Sequence, residues 1–237
     1  MADAATSAPR KNLLLRIGVH ECRTPLSVIL GYSSMLLSGR TGELTDMQRH
    51  VLEELKKSTT KLAGLCDEMN DLSLLEVGSV KFNRRLIDLT ALIVQEIPAV
   101  APALDREVTI RLIDHSPAVT VNGDLEWLKT TFNSLMFSHR RELVSVDELC
   151  VAIDRIGGNP PAIRVTIAGV DRVDSLRRVP ELELEPLVEL RGGMGYRLSI
   201  ARKVIEGHGG RICSQIDPDS TEASVRVLGA VVILPEG

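Results

Sequence analysis

Within seven positions, His20-Glu21-Cys22-Arg23-Thr24-Pro25-Leu26 gathers an imidazole, a carboxylate, a guanidinium and a hydroxyl. A neutral imidazole offers one unprotonated ring nitrogen as a nucleophile and can attack a phosphorus centre directly. Glu21 is placed to hold the other ring nitrogen or to take its proton, provided its side chain bends back, because adjacent helix positions diverge. Pro25 has no N–H to donate and its ring crowds the carbonyl of residue 21, so the helix should kink beside His20. Chemistry of this kind needs an exposed ring. The alternative is an ordinary surface histidine.

The elements that position this segment are legible from apolar spacing. From about Lys11 to Leu37, Leu15, Val19, Cys22, Leu26, Ile29 and Leu36 follow alternating steps of four and three, with Ser33 filling one place. This is a heptad seam. With Val19 and Leu26 on the seam, His20 falls just off it and Thr24 lies one turn further along the same outward face. His20 is therefore not a core histidine. After Gly39 and Gly42, Thr45-Asp46-Met47-Gln48 fits a capping box that starts a second helix to about Glu76. Its predicted seam is Val51, Leu55, Ser58, Leu62, Leu65, Met69 and Leu72. The two helices should form an antiparallel hairpin. Leu30, Leu37, Leu52 and Leu75 widen the apolar stripes beyond one seam, which predicts pairing of two hairpins into a homodimeric four-helix bundle. The competing assignment faces those residues toward the chain's own second domain.

Gly78 ends the hairpin, and the pattern then changes. Leu86 to about Leu104 reads as an extended entry and a helix, Val108 to Ile113 and Ala118 to Val121 as strands, and Leu125 to about Leu143 as a helix. Strands Cys150 to Ile156 and Ala162 to Ile167 bracket a Gly157-Gly158-Asn159-Pro160 turn. A charged, proline-containing loop from about Val170 to Gly195 precedes a helix from Leu198 to Glu206. That helix stops at Gly207-His208-Gly209-Gly210, and Arg211 to Ile216 and Ala223 to Leu234 read as closing strands. The expected organisation is a disordered tail over 1–10, a helical hairpin over 11–78, a linker over 79–85, and an α/β sandwich over 86–237 with helices on one face of a mixed sheet.

Composition narrows the partners. The formal charge of −4 and the 3% aromatic content give neither an electrostatic footprint nor a stacking surface for nucleic acid. No run approaches the roughly 18 apolar residues of a membrane span, and the first residues lack the apolar core of a secretory signal. No membrane association and a cytoplasmic location are expected. Cys22, Cys66, Cys150 and Cys213 have no CxxC or Cys/His spacing suited to zinc, so free thiols and no metal are expected.

His-Glu-x-Arg-Thr-Pro-Leu, followed by Ile29-Leu30-Gly31-Tyr32, resembles the dimerisation and phosphotransfer domain of two-component sensor histidine kinases, and the likeness extends through Leu62 to Glu76. It implies that His20 is the phosphoacceptor, that Glu21 is the acid/base residue, and that Thr24 positions water or the partner for dephosphorylation. Arg23 would steady phosphoryl oxygens.

The region from Leu86 onward resembles the same family's ATP-binding domain in its order of elements, but not in its site residues. After Gly123-Asp124, Ser134 and Ser138 stand where the family carries magnesium-binding asparagine, and Asn133 is rotated by about 100 degrees out of phase. Ala168 stands where an aspartate reads adenine, and Val170 and Arg172 replace the two glycines that follow it. In Gly192-Gly193-Met194-Gly195-Tyr196-Arg197, which resembles the phosphate-cradling glycine box, Arg197 takes a glycine's place. His208 matches a structural feature of relatives and reads as a helix stop.

An intact phosphoacceptor beside an altered nucleotide site implies a histidine phosphotransferase of a phosphorelay. Its partners would be the receiver domains of response regulators, with no cofactor expected. Two alternatives stand beside this reading. One is a divergent or truncated kinase that autophosphorylates from ATP and magnesium. The other is a non-catalytic dimer that sequesters a response regulator.

Overall fold

The computed structural model describes residues 3–102, 107–115, 119–143, 146–158, 160–189, 194–217 and 227–237. The chain divides into two compact units between Val80 and Lys81.

The first unit is a helical hairpin of α1 (Asp3–Leu37) and α2 (Asp46–Glu76). α1 starts well before Lys11, so residues 3–10 continue the helix where a disordered tail was expected. The three alanines among these residues carry high helix propensity and need no seam to extend it. α1 also runs on through Pro25. At the start of α2 the capping box is complete: Thr45 Oγ1 accepts the Gln48 N–H, and Gln48 Oε1 accepts the Thr45 N–H. Gly39 and Gly42, with φ of 74° and 120°, turn the chain between the helices in a region costly for any residue with a Cβ.

The contact between the helices differs from the predicted seam on α2. Val19 and Ser33 of α1 and Thr59 and Ser73 of α2 are buried, while Leu26, Leu30, Leu37, Leu52 and Leu75 are half-buried. Val51, Leu55, Ser58 and Leu62, expected on the seam, are exposed, as are Cys22 and Ile29. The apolar stripe of α2 is wide enough to hold two phases. Leu65, Met69 and Leu72 of the predicted seam are half-buried, the fully buried positions of α2 are the small polar residues Thr59 and Ser73, and Ser33 and Thr59 satisfy their hydroxyls on the carbonyls of Ile29 and Leu55, one turn back.

In the second unit, β1 (Arg85–Asp88) pairs antiparallel with β3 (Thr120–Gly123). A six-stranded mixed sheet has the order β2-β4-β5-β8-β7-β6, built from β2 (Thr109–His115), β4 (Glu148–Ile156), β5 (Ala162–Gly169), β6 (Glu185–Pro186), β7 (Arg211–Ile216) and β8 (Val227–Pro235). Among the described residues only the β2–β4 pair is parallel. Alternation sorts the side chains of the sheet. Leu149, Val151, Ile153, Ile163, Val165, Ile167, Ala230, Val232 and Leu234 form one buried face. That face lies against α3 (Leu89–Glu96), α4 (Leu125–Glu142) and α6 (Arg197–Gly207), whose Leu89, Leu92, Ile93, Leu128, Phe132, Leu135, Leu198, Ala201, Val204 and Ile205 are also buried.

The stretch expected as a loop from Val170 to Gly195 contains α5 (Val173–Arg178), a 3-10 turn over Glu181–Glu183, and β6. α5 packs on the opposite face of the sheet, where Val173 and Leu176 join Cys150, Ala152, Ala168, Val231 and Ile233 in a second apolar cluster. At six residues it is too short to show a helical period in sequence. The linker expected over 79–85 also shortens. Phe82 packs on Trp127 and His208, with ring centroids 6.2 and 4.5 Å apart, and the Asn83 N–H donates to Asp124 Oδ2, so residues 81–85 belong to the second unit. Asn159, Gly192, Gly193 and residues 223–226, all named in the sequence reading, lie outside the described residues.

Candidate active site

Helical phase brings His20, Arg23, Thr24, Ser27 and Val28 to one side of α1, where they line an open groove of about 490 Å³. The His20 and Glu21 side chains are 78% and 77% exposed, and His20 Nδ1 lies 3.3 Å from Glu21 Oε1. The glutamate does bend back along the helix surface to reach the ring. If Nδ1 carries the proton shared with that carboxylate, Nε2 is left as the unprotonated nitrogen facing solvent, available for in-line attack. Thr24 lines the groove with His20, as predicted. Arg23 is also at the groove, but its guanidinium is ion-paired with Asp67 of α2, so it ties the two helices together rather than standing free for a phosphoryl group.

Cys22 is exposed, and Cys66 half-buried on α2; all four cysteines are free thiols. Burial chiefly pushes the Cys66 thiol above its usual value, and Cys22 and Asp67 add to the effect. A thiol held protonated is a poor nucleophile. Among the described residues, no cluster of three His, Cys, Asp or Glu side chains could hold a metal ion.

In the second unit, Asp124 caps the N-terminus of α4, its Oδ1 accepting the N–H groups of Glu126 and Trp127. Ser134 and Ser138 of this helix are buried. Ser138 Oγ has no hydrogen-bond partner among the described residues. Asn133 is turned to α3, where its amide donates to Glu96 Oε2 at 3.3 Å. Ala168 is buried in the cluster beneath α5, while Val170 and Arg172 are exposed just beyond β5. Arg197, the first residue of α6, places its guanidinium 5.6 Å from the centroid of the Phe137 ring, and Arg141 approaches the same ring at 5.5 Å. An aromatic ring with two arginines thus bridges α4 and the start of α6.

ATP with magnesium would need an oxygen ligand for the cation and a carboxylate for the base among these residues. Ser134 and Ser138 present neutral hydroxyls where an amide carbonyl would serve a hard cation, and Ala168 presents a methyl group to an apolar cluster. The residues present do not fit the group.

One structural partnership escaped the sequence reading. His208 is buried, its Nε2 accepts the Asp124 N–H at 2.9 Å, and its Nδ1 donates to the Val204 carbonyl at 2.7 Å. No local pattern joins the two in sequence; in the fold Gly123 leaves room for the ring, since a Cβ there would lie 2.6 Å from Leu128 Cδ1 and 3.1 Å from His208 Cδ2.

Comparison with known proteins agrees with this architecture. Residues 10–78 match the His Kinase A (phospho-acceptor) domain. The chain is 26% identical over 230 residues to the sensor protein VanS of Enterococcus faecium, an alignment covering 95% of this chain and 59% of that protein. It is also 26% identical over 215 residues to the signal transduction histidine-protein kinase BaeS of Escherichia coli, covering 84% of this chain and 42% of the other. Full-length ShkA, solved in complex with AMPPNP, shares the fold with a TM-score of 0.70 at 20% identity, over 94% of this chain and 46% of that one. The hairpin is thus similar to the phospho-acceptor domain of histidine kinases, and the chain over most of its length is similar to sensor histidine kinases. It spans 59% or less of the length of the two curated relatives named here.

Proposed function

We propose that this chain is a histidine phosphotransferase of a phosphorelay, acting as a homodimer in the cytoplasm and working without ATP. The observation that carries the reading is a contrast. His20 is exposed and paired with Glu21, whereas Ser138, Ala168 and Arg197 occupy nucleotide positions with side chains that suit neither magnesium, adenine nor a close phosphate approach. In the transfer, His20 Nε2 attacks the phosphorus of an aspartyl phosphate on a receiver domain. The N–P bond forms as the P–O bond breaks, and the aspartate leaves as a carboxylate. Glu21 balances the imidazolium through Nδ1. A carboxylate on a second receiver then attacks the phosphohistidine, and the neutral imidazole is regenerated.

Dimerisation is supported by the apolar residues that the hairpin alone leaves open, Ile29, Val51, Leu55 and Leu62 among them. Among the described residues no helix is long and apolar enough to cross a membrane.

The test is a comparison of phosphodonors. Phosphoramidate should load His20 in the wild type and not in His20→Ala, and labelled ATP with magnesium should load neither. Rapid labelling of His20 from ATP would replace this reading with that of a divergent kinase. A His20→Ala protein that preserved signalling output would instead favour a sequestering regulator.

A further inference from the structure

The Arg23–Asp67 ion pair crosses the hairpin from the groove that holds His20 on α1 to the neighbouring face of α2. We infer that Asp67 is a positioning residue for phosphoryl exchange: it holds the Arg23 guanidinium away from His20, and a phosphoryl group on the ring must win that guanidinium from it, which keeps the phosphohistidine ready to pass its group on. The inference rests on the phosphotransferase reading.

Reach comes first. His20 and Arg23 are three residues apart on α1 and line one groove, a spacing at which helical side chains meet. The other lining residues are Thr24, Ser27 and Val28, so Arg23 is the cation of the groove. It can serve Asp67 or a phosphorylated His20, but its one guanidinium cannot fully serve both.

Strength decides which of the two it serves. The Arg23 and Asp67 side chains are 52% and 61% exposed. An ion pair so open to water is weak, whereas a guanidinium on a phosphoryl dianion makes charge-assisted, two-pronged bonds. The carboxylate therefore keeps Arg23 while the ring is bare and yields it once the ring carries phosphorus.

The exchange is opposed from α2. Asp67 and Asp71 stand one helical turn apart, a spacing at which like charges repel. Burial chiefly holds the Asp71 carboxyl above the usual carboxylate range; Asp67 adds to that rise, and Asn70 and Arg23 oppose it. The guanidinium thus steadies two carboxylates of α2, and both lose it when it turns to His20. That penalty falls on the phosphorylated state alone, so it raises the tendency of the phosphohistidine to give up its group.

The test uses the full chain, loaded on His20 with phosphoramidate and equilibrated with a purified receiver domain from the same genome, with the partition of the phosphoryl group read by phosphorus NMR. Asp67→Asn should move that partition about two- to fivefold toward His20, the factor that corresponds to a competing exposed ion pair. Asp67→Glu, which keeps a carboxylate for Arg23, should behave as wild type, and Arg23→Gln should shift the partition toward the receiver. In the Arg23→Gln protein Asp67→Asn should lose its effect, whereas in an Arg16→Gln protein, altered one turn before His20, the effect should persist. A partition unmoved by Asp67→Asn overturns the inference, as does an Asp67→Asn effect that survives the loss of Arg23. If phosphoramidate leaves His20 bare, the phosphotransferase reading itself fails, and the ion pair is scored without it. In His20→Glu, whose carboxylate stands in for the added charge, the Arg23 Nε–H signal should move toward its position in Asp67→Asn, and a signal that stays at its wild-type position overturns the inference.

Discussion

His208 and Asp124, 84 positions apart, are joined by a hydrogen bond from the Asp124 backbone N–H to the His208 Nε2. The bond links the end of α6 to the N-cap of α4, and Asp124 in turn accepts the Asn83 N–H, so three chain segments meet at one neutral imidazole. Both ring nitrogens are used, which fixes the tautomer with the proton on Nδ1.

Stability should therefore depend on pH through this residue. Burial holds the His208 imidazole below the ordinary histidine value, Arg84 acts in the same direction, and the Val204 bond and Asp124 oppose them. With the folded value depressed, the unfolded chain binds the proton first. The contribution is intact above about pH 6.5 and is lost as pH falls from there toward the folded value. Denaturant melts of wild type and His208→Ala should converge at acidic pH, with the wild type more stable by about 2–3 kcal/mol near neutrality. A constant difference across that range would remove His208 as the source.

The same junction depends on Gly207. A Cβ at this position would lie 2.5 Å from Phe82 Cε2, and the ring cannot swing freely because it packs on Trp127 and His208. Gly207→Ala should cost about 1–3 kcal/mol. If the clash is the cause, Phe82→Leu should make the second substitution nearly harmless, a coupling that a double-mutant cycle of thermal melts would measure.

The fastening of α5 gives another prediction. Arg164 is buried on β5, and its Nη2 donates to the carbonyls of Leu176 and Val179 at 2.8 and 2.9 Å. Arg177 of α5 answers with a two-pronged bond to Asp154 on β4. Arg164→Met would leave both carbonyls without their donor, at a cost of about 2–4 kcal/mol. Hydrogen exchange should quicken over residues 173–179 before it changes on the face of the sheet under α4.

Local chemistry made much of this molecule legible in the sequence. The capping box named Thr45 and Gln48 correctly because both bonds are made within one turn. The strands were readable because branched residues alternate at a period of two. The phase of the first half of α2 was not, because Val51, Leu55 and Leu62 make as good a seam on paper as the phase that buries Thr59 and Ser73 in the fold. α5 and the His208–Asp124 bond depend on residues brought together by tertiary structure alone. At the candidate site, the exposure of His20 followed from its offset from Val19 and Leu26, while the capture of Arg23 by Asp67 required the register of the hairpin.

Ala168 offers the sharpest test of whether the nucleotide site can be recovered by restoring one residue. Its methyl group packs with Cys150, Val173, Leu176 and Val231, and a Cβ built on Gly229 would lie 2.8 Å from it, so no room is left for a carboxylate. Ala168→Asp would bury a charge with no partner in this cluster, so the aspartate should be held protonated or α5 displaced, with a loss of about 2–4 kcal/mol in folding stability. Calorimetry with ATP and magnesium should detect no binding by the variant. A measurable affinity, gained without loss of stability, would mean that the pocket lacks only its base-reading carboxylate, and that α5 yields to the nucleotide more readily than its packing implies.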